Sequence, residues 1–553
     1  MRKILLIALA FIVLSSPKAT SQDKITEILQ KEMMRNFEVM KNLEVPVYYI
    51  SIRVEEQENQ GIISRYGAIL SNFNRKQRQM AITMRVGDRN FDNMHYSGNM
   101  RNITQITLPN TDVEEEIKLS LWRALQQAYS KAKDDLESNQ TQRTTRPEEE
   151  DKSPDFSIEK ASQYYEKLMK FSDLGFNEKE IIEKNNALSK ILDENRDVLT
   201  NNVYMGAVLS RQYFIDTDGA SITQNDASVR VSVSGMVMAE DGMVLQDYTS
   251  YFGRSVKDLP SFDIMKADIA KLSNNLSALK ASPKIDSYTG PVLLSGEVSG
   301  VFFHEFFGHR VEGARMKSGF DAQTLKKKIG ETVLPERLSV RFDPTISKYK
   351  NYLLSGDYKY DDEGVKGQRV DVIENGVLKN FLMSRIPIEG FPNSNGHGRG
   401  NLGIGAEARQ SNMIIESSNP LSTEELNKLF IDELKKRNLK FGYRIDKVSG
   451  GLTMTSAAAA NVFYLQPLIV YRVYTDGQPD ELVRGINIVG TPLAAFSQIM
   501  AESDDHKIFN GTCGALSGGV SVSAVAPSML VKELEFQKTG DTQKADPYIL
   551  ERP

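Results

Sequence analysis

Val301-Phe302-Phe303-His304-Glu305-Phe306-Phe307-Gly308-His309-Arg310 holds two of the five histidines in 553 residues, with a glutamate directly after the first. Imidazole nitrogens are good zinc ligands, and a carboxylate beside them can take a proton from a water activated by the metal. Those are the parts of a metal-dependent hydrolase. The spacing, however, is His-Glu-x-x-x-His. Positions i and i+4 of a helix lie roughly 40° apart, whereas i and i+5 lie about 140° apart. A regular helix would therefore point His304 and His309 away from each other. Gly308 supplies a remedy, because glycine readily ends a helix or accepts an unusual backbone angle, and a local bulge would also re-aim the second ring. The stretch reads as a helix bent or terminated at Gly308. Two imidazoles buried without a role among Phe302, Phe303, Phe306 and Phe307 would leave polar nitrogens to satisfy at a cost, which favours the metal reading.

Outward from this helix the chain reads as α+β. From about Asn202 the signal is strand-like: Asp218-Gly219, Asp241-Gly242, Asn375-Gly376 and Asp476-Gly477 each separate apolar segments. Such dipeptides accept the positive φ angles of tight hairpins. Residues 229–234 alternate and 465–474 are nearly all apolar, predicting a large, mostly antiparallel sheet system that carries a few helices. Upstream, Ile25, Leu29, Met33, Phe37 and Met40 repeat at helical spacing, and 48–55 alternate as a half-buried strand. Further strands are predicted near 62–70 and 80–86. A second helix is predicted from Thr111, with Thr111 and Glu114 as a capping box and Ile117, Leu121, Leu125 and Ala128 along one face. Residues 131–155 are charged and poor in large apolar side chains, predicting a solvated linker or an exposed helix end. Helical patches over 157–171 and 177–198 lead into the β region. The expected division is a leader over 1–21, an N-terminal α+β domain over 22–110, a central domain over 111–285, and a C-terminal domain over 286–545 that carries the His304 helix.

The leader is read from Met1-Arg2-Lys3, the apolar run Ile4 to Leu14, and small residues ending Ala19-Thr20-Ser21. That pattern is a secretory signal, with cleavage expected after Ser21 and Ser16 as the rival site. A spanning helix needs about 20 apolar residues, so an exported protein, periplasmic or extracellular, without stable membrane insertion is expected. Net charge is −5, from 68 basic and 73 acidic residues, and no tract is strongly basic, which argues against nucleic acid as a partner.

Cysteine usage is more telling. Cys513 is alone, cannot form an intrachain disulfide, and in an exported protein demands an explanation. Its neighbours Asn510, Gly511, Thr512 and Gly514 suggest a glycine-flanked turn, which suits a ligand better than a core position. A catalytic zinc site takes three protein ligands and keeps one position open. His304 and His309 supply two, and Cys513 is the best third, with Glu312, His506 and His397 as competitors. Glu305, off the metal, would then be the general base. The run Gly398-x-Gly400-x-x-Gly403 spells a dinucleotide-binding pattern but lacks a strand before it and a helix after it. It is read as a substrate-facing loop, with His397 and Arg399 as candidate substrate contacts.

At these residues the chain resembles the TldD/PmbA family of metallopeptidases, also called modulators of DNA gyrase. The resemblance rests on Gly290 to Gly300, His304-Glu305-Phe306-Phe307-Gly308-His309 with Arg310, Glu312 and Gly313, Asp361 to Gly364, Ile373 to Lys379, and Gly511-Thr512-Cys513-Gly514. It implies zinc held by His304, His309 and Cys513, a catalytic Glu305, and the TldD-like type of subunit that bears the zinc motif. It also implies paired subunits, as a homodimer or with a related subunit, acting on flexible or unfolded peptides. The resulting expectation is an exported zinc-dependent peptidase. The alternatives are a zinc amidohydrolase acting on non-peptide or cell-wall-derived amides, and a non-catalytic assembly partner with structural zinc.

Overall fold

The computed structural model describes residues 23–539 apart from 97–102, 318, 320, 458–461, 492–494 and 496, together with 546. The predicted leader lies outside the described residues. Among the described residues, no helix is long and apolar enough to cross a membrane.

The chain is α+β, built on three large sheets. The first runs in the order Thr104–Leu108, Ala68–Val86, Val47–Arg65, Thr200–Asp216, Ser221–Met238, Gln163–Tyr165, with Val244–Gly253 also pairing with Ser221–Met238. Helices Lys24–Met40 and Glu114–Arg143 share a core with one end of this sheet, and Glu178–Asp193 and Phe262–Ala281 with the other. Its opposite side chains reach the C-terminal half: Arg53 pairs with Asp362 at 2.7 Å and donates to the Gly400 carbonyl. Arg385, 2% exposed, binds Asp218 at 2.9 Å and the Tyr49 hydroxyl at 3.0 Å.

Several local expectations change. The strands expected over 48–55, 62–70 and 80–86 are two long ones, Val47–Arg65 and Ala68–Val86, turning at Tyr66 and Gly67. The helix expected from Thr111 begins at Glu114 behind Val113 and has no side-chain cap, and it runs on through part of the charged stretch to Arg143. The patch at 157–171 contains a short strand, Gln163–Tyr165, because pairing with Ser221–Thr223 outweighs its weak helical pattern. The expected hairpins form, with Gly219, Gly242, Gly376 and Gly477 all at positive φ.

The other two sheets hold the site. One runs Val377–Leu378, Val370–Glu374, Leu338–Phe342, Asn412–Ser417, Gly518–Ala526, Lys507–Ala515. The other runs Phe441–Thr453, Tyr288–Leu294, Met529–Lys538, Ile486–Gly490, Phe463–Tyr474, and the first and last of these strands also pair, closing a ring. Helix Gly296–Phe306 lies between the two sheets, against Phe441–Thr453 on one side and Lys507–Ala515 and Gly518–Ala526 on the other. The Ser295 side chain caps it by accepting from the Val298 amide. Phe302, Phe303, Phe306 and Phe307 are fully buried in the largest core, where Phe302 and Phe306 pack on Phe463. Each such burial is worth about 1.5–3 kcal/mol, so the helix that presents His304 is anchored by its apolar face.

Candidate metal centre

The helix ends at Phe306, and Gly308–Arg310 forms a single 3-10 turn. That break turns His309 back toward His304, leaving their ring centroids 4.9 Å apart and the planes at 83°. Gly308 is needed for space and not for a positive φ. A Cβ there would sit 2.1 Å from Gln410 Oε1. Gln410 in turn donates its side-chain amide to the His304 carbonyl.

Cys513 comes from the opposite wall. It lies on the strand Lys507–Ala515 at the edge of its sheet, a strand and not the expected turn. Its Sγ is 3.1 Å from His304 Nε2 and 3.4 Å from His309 Nε2, and the three donor atoms all lie within 4.8 Å of one another. Donors at zinc bond lengths around a tetrahedral centre would be separated by roughly 3.6 Å, so this N,N,S set fits zinc in composition and spacing. All three side chains are buried.

The electrostatics couple the thiol to the two imidazoles, and His309 must shed its proton before it can ligate zinc. Burial alone would raise the Cys513 thiol, but His304 and His309 pull it down to about 4, favouring the thiolate that a metal needs. Burial would lower His309, but Glu312 and Cys513 hold it up, to about 10. Burial raises the Glu305 carboxyl, and His304 and His309 offset part of that.

Glu312 is 1% exposed and sits on the far nitrogen of His309, 3.1 Å from Nδ1, away from the sulfur. Despite its burial, His309, Arg315 and Arg409 hold its carboxyl well below the usual range. A carboxylate on the second nitrogen fixes ring tautomer and orientation. Glu312 thus sits behind His309, outside the cluster of three donor atoms. Arg409, 1% exposed, reaches Glu312 at 3.6 Å and donates to the Cys513 carbonyl at 2.7 Å, tying both walls together. No spacing in the sequence pointed to Arg409 or Gln410.

The site opens into a cavity of about 380 Å³ lined by His304, Glu305, His309, Gly451, Thr453 and Cys513. Glu305 is 7% exposed, and the backbone of Gly451 comes so close that a Cβ there would lie 2.4 Å from Glu305 Cγ. Arg310 holds the Glu305 carbonyl at 2.7 Å. The other candidates stay outside this cavity. His397 is fully buried between Ser411 and Asn395, and Arg399 donates to the carbonyls of Gln410 and Ser521. Neither lines the metal cavity. His506 bonds the Ile415 carbonyl, on another part of the sheet.

Residues 287–538 match the PmbA/TldA metallopeptidase C-terminal domain. The chain is 28% identical over 339 residues to a metalloprotease of Methanothermobacter thermautotrophicus, covering 58% of this chain and 66% of that one. It is 29% identical over 343 residues to a Saccharolobus solfataricus protein described as a zinc metalloprotease TldD homolog, covering 60% and 70% of the two chains. The fold is similar to that of crystalline TldE from Thermococcus kodakarensis, with a TM-score of 0.63 at 14% identity over 92% of this chain and 100% of that one.

Proposed function

Because the chain belongs, through residues 287–538, to the PmbA/TldD family of metallopeptidases, we propose that it is a zinc-dependent peptidase acting on flexible or unfolded peptides. One observation carries the reading: His304, His309 and Cys513 converge from two walls of one cavity, with Glu305 on the same wall as the histidines. When bound, zinc supplies a Lewis acid that polarises the scissile carbonyl and acidifies water. Glu305 takes the proton from the attacking water and returns it to the leaving amine. Glu312 holds the His309 ring through Nδ1, and Arg310 fixes the backbone from which Glu305 projects. The strand Lys507–Ala515 ends its sheet at the cavity, so an extended peptide can be held there by strand addition. The protein is exported by its leader and works as a pair, with a second copy or a related subunit.

Removal of metal tests the reading directly. A strong chelator should abolish cleavage of an unstructured fluorogenic peptide, and zinc alone should restore it. Cleavage that persists in a metal-free preparation would sink the proposal. A second expectation follows from the close approach of Gly451. Gly451→Ala should displace the Glu305 side chain and lower kcat by about 100-fold, the cost of a misplacement near 1 Å. Zinc content should be unchanged, because the intruding methyl meets Glu305 and Leu465, not the donor atoms.

A further inference from the structure

A second recess, of about 260 Å³, adjoins the metal cavity, and Phe509 lines both. Its other walls include Arg230, Tyr248, Ser250, Glu297 and Lys447. Glu297 and His304 are seven residues apart on one helix, almost two full turns, so they face the same side. The rise between them is about 10 Å, which an extended peptide crosses in about three residues. A peptide lying along this helix face with its scissile bond at the histidines would place a side chain or a terminus against Glu297.

The Glu297 carboxylate is free to meet it. Among the described residues it has no hydrogen-bond or ion-pair partner, although burial pushes its carboxyl above the ordinary value. Lys447, the cation that acts on it most strongly, is committed to Asp247 at 2.7 Å and to the Tyr248 carbonyl at 2.6 Å. Lys507 acts on Glu297 only at a distance, without an ion pair. Arg230 stacks over Phe252 at 5.0 Å and is not among the charges that act on Glu297. A half-buried, unpaired carboxylate in this recess is suited to an ammonium or guanidinium group, which gains a charge-assisted hydrogen bond, while the Tyr248 ring already carries Lys447 at 5.2 Å.

We infer that this recess is a substrate subsite in which Glu297 selects a cationic group about three residues from the scissile bond, either a basic side chain or the ammonium terminus of the peptide. The inference rests on the peptidase reading above. An acidic residue in the first turn also favours the helix dipole, a role that predicts lost stability on substitution but no change in substrate preference.

The test uses the zinc-loaded Glu305→Gln protein, which should bind peptides without turning them over, alongside wild-type cleavage. Fluorescent peptides carry lysine or norleucine at successive positions on either side of the scissile bond, each with a free or an acetylated N-terminus. Lysine at one position about three residues away, or a free terminus at that distance, should tighten binding by about tenfold over its neutral counterpart, the worth of one charge-assisted bond. The lysine series and the acetylated series show which source supplies the cation. Adding Glu297→Gln should erase the difference while leaving the neutral peptide's affinity unchanged. Equal binding of the charged and neutral peptides, or a preference that survives Glu297→Gln, overturns the subsite. So does a Glu297→Gln protein that only melts earlier. A preference in binding without any cleavage by the wild type would sink the peptidase reading and leave the subsite standing. Cleavage without preference would do the reverse, and failure to bind any peptide would overturn both.

Discussion

Cys513→Ser is expected to lose its zinc while remaining folded. The sulfur stands 3.1 and 3.4 Å from the two imidazole nitrogens, so it is the only donor linking the histidine turn to the opposite sheet among the described residues that cluster there. Serine is close in size, and its hydroxyl can still bond to an imidazole, so the small apolar cluster with Val520 and Val522 should keep its shape. What it cannot supply at neutral pH is a thiolate. Changes one layer outside a zinc site already cost about 10–100-fold in metal affinity, and removal of a ligand should cost more than about 100-fold. Elemental analysis after gel filtration and competition with a calibrated chelator would measure this. If Cys513 were merely a small buried hydrophobe, the variant would show a shifted melting temperature with zinc bound as before. Zinc retained at full stoichiometry and affinity would sink the ligand assignment.

The parts of the site that the sequence revealed were those fixed by chemistry or by local geometry. His304 and His309 are rare residues at a spacing that only a broken helix can use, and the break falls between Phe306 and Gly308. Cys513 was conspicuous by being alone. The Asp-Gly and Asn-Gly turns were legible because positive φ strongly restricts residue choice. What could not be read depended on long-range burial. His397 and Arg399 sit in a glycine-rich run that looks like an exposed loop, yet burial holds His397 down to about 3 as a neutral brace between Ser411 and Asn395. Arg399 likewise spends its guanidinium on two backbone carbonyls. Glu312 was visible as an acid near His309, but whether it met the metal or the far ring nitrogen depended on ring orientation, which no spacing encodes. The short strand Gln163–Tyr165 was missed because its stability comes from a partner some sixty residues away. Gly451 carried no signal either, since its need for a bare backbone arises only where Glu305 approaches from another element.

Glu305→Gln should separate chemistry from metal binding. The substitution preserves shape, so the packing against Gly451 and the Arg310 contact to the backbone carbonyl should persist. An amide cannot accept the proton of an attacking water, and loss of a positioned general base costs typically 10²–10⁴-fold in rate. The fall should appear in kcat with KM nearly unchanged, because a general base acts on the attacking water in the transition state and not on the bound substrate. Zinc content should remain that of the wild type, in contrast to Cys513→Ser, where cleavage and metal are lost together. The two variants therefore discriminate among the readings of the site. A structural zinc serving only assembly needs no base, and would leave Glu305→Gln fully functional while Cys513→Ser fell apart or failed to pair. A hydrolase acting on non-peptide amides would lose its own reaction in Glu305→Gln, and its wild type would leave flexible peptides intact. Undiminished peptide cleavage by a zinc-replete Glu305→Gln protein would remove Glu305 from the reaction altogether and place the base on another group lining the cavity.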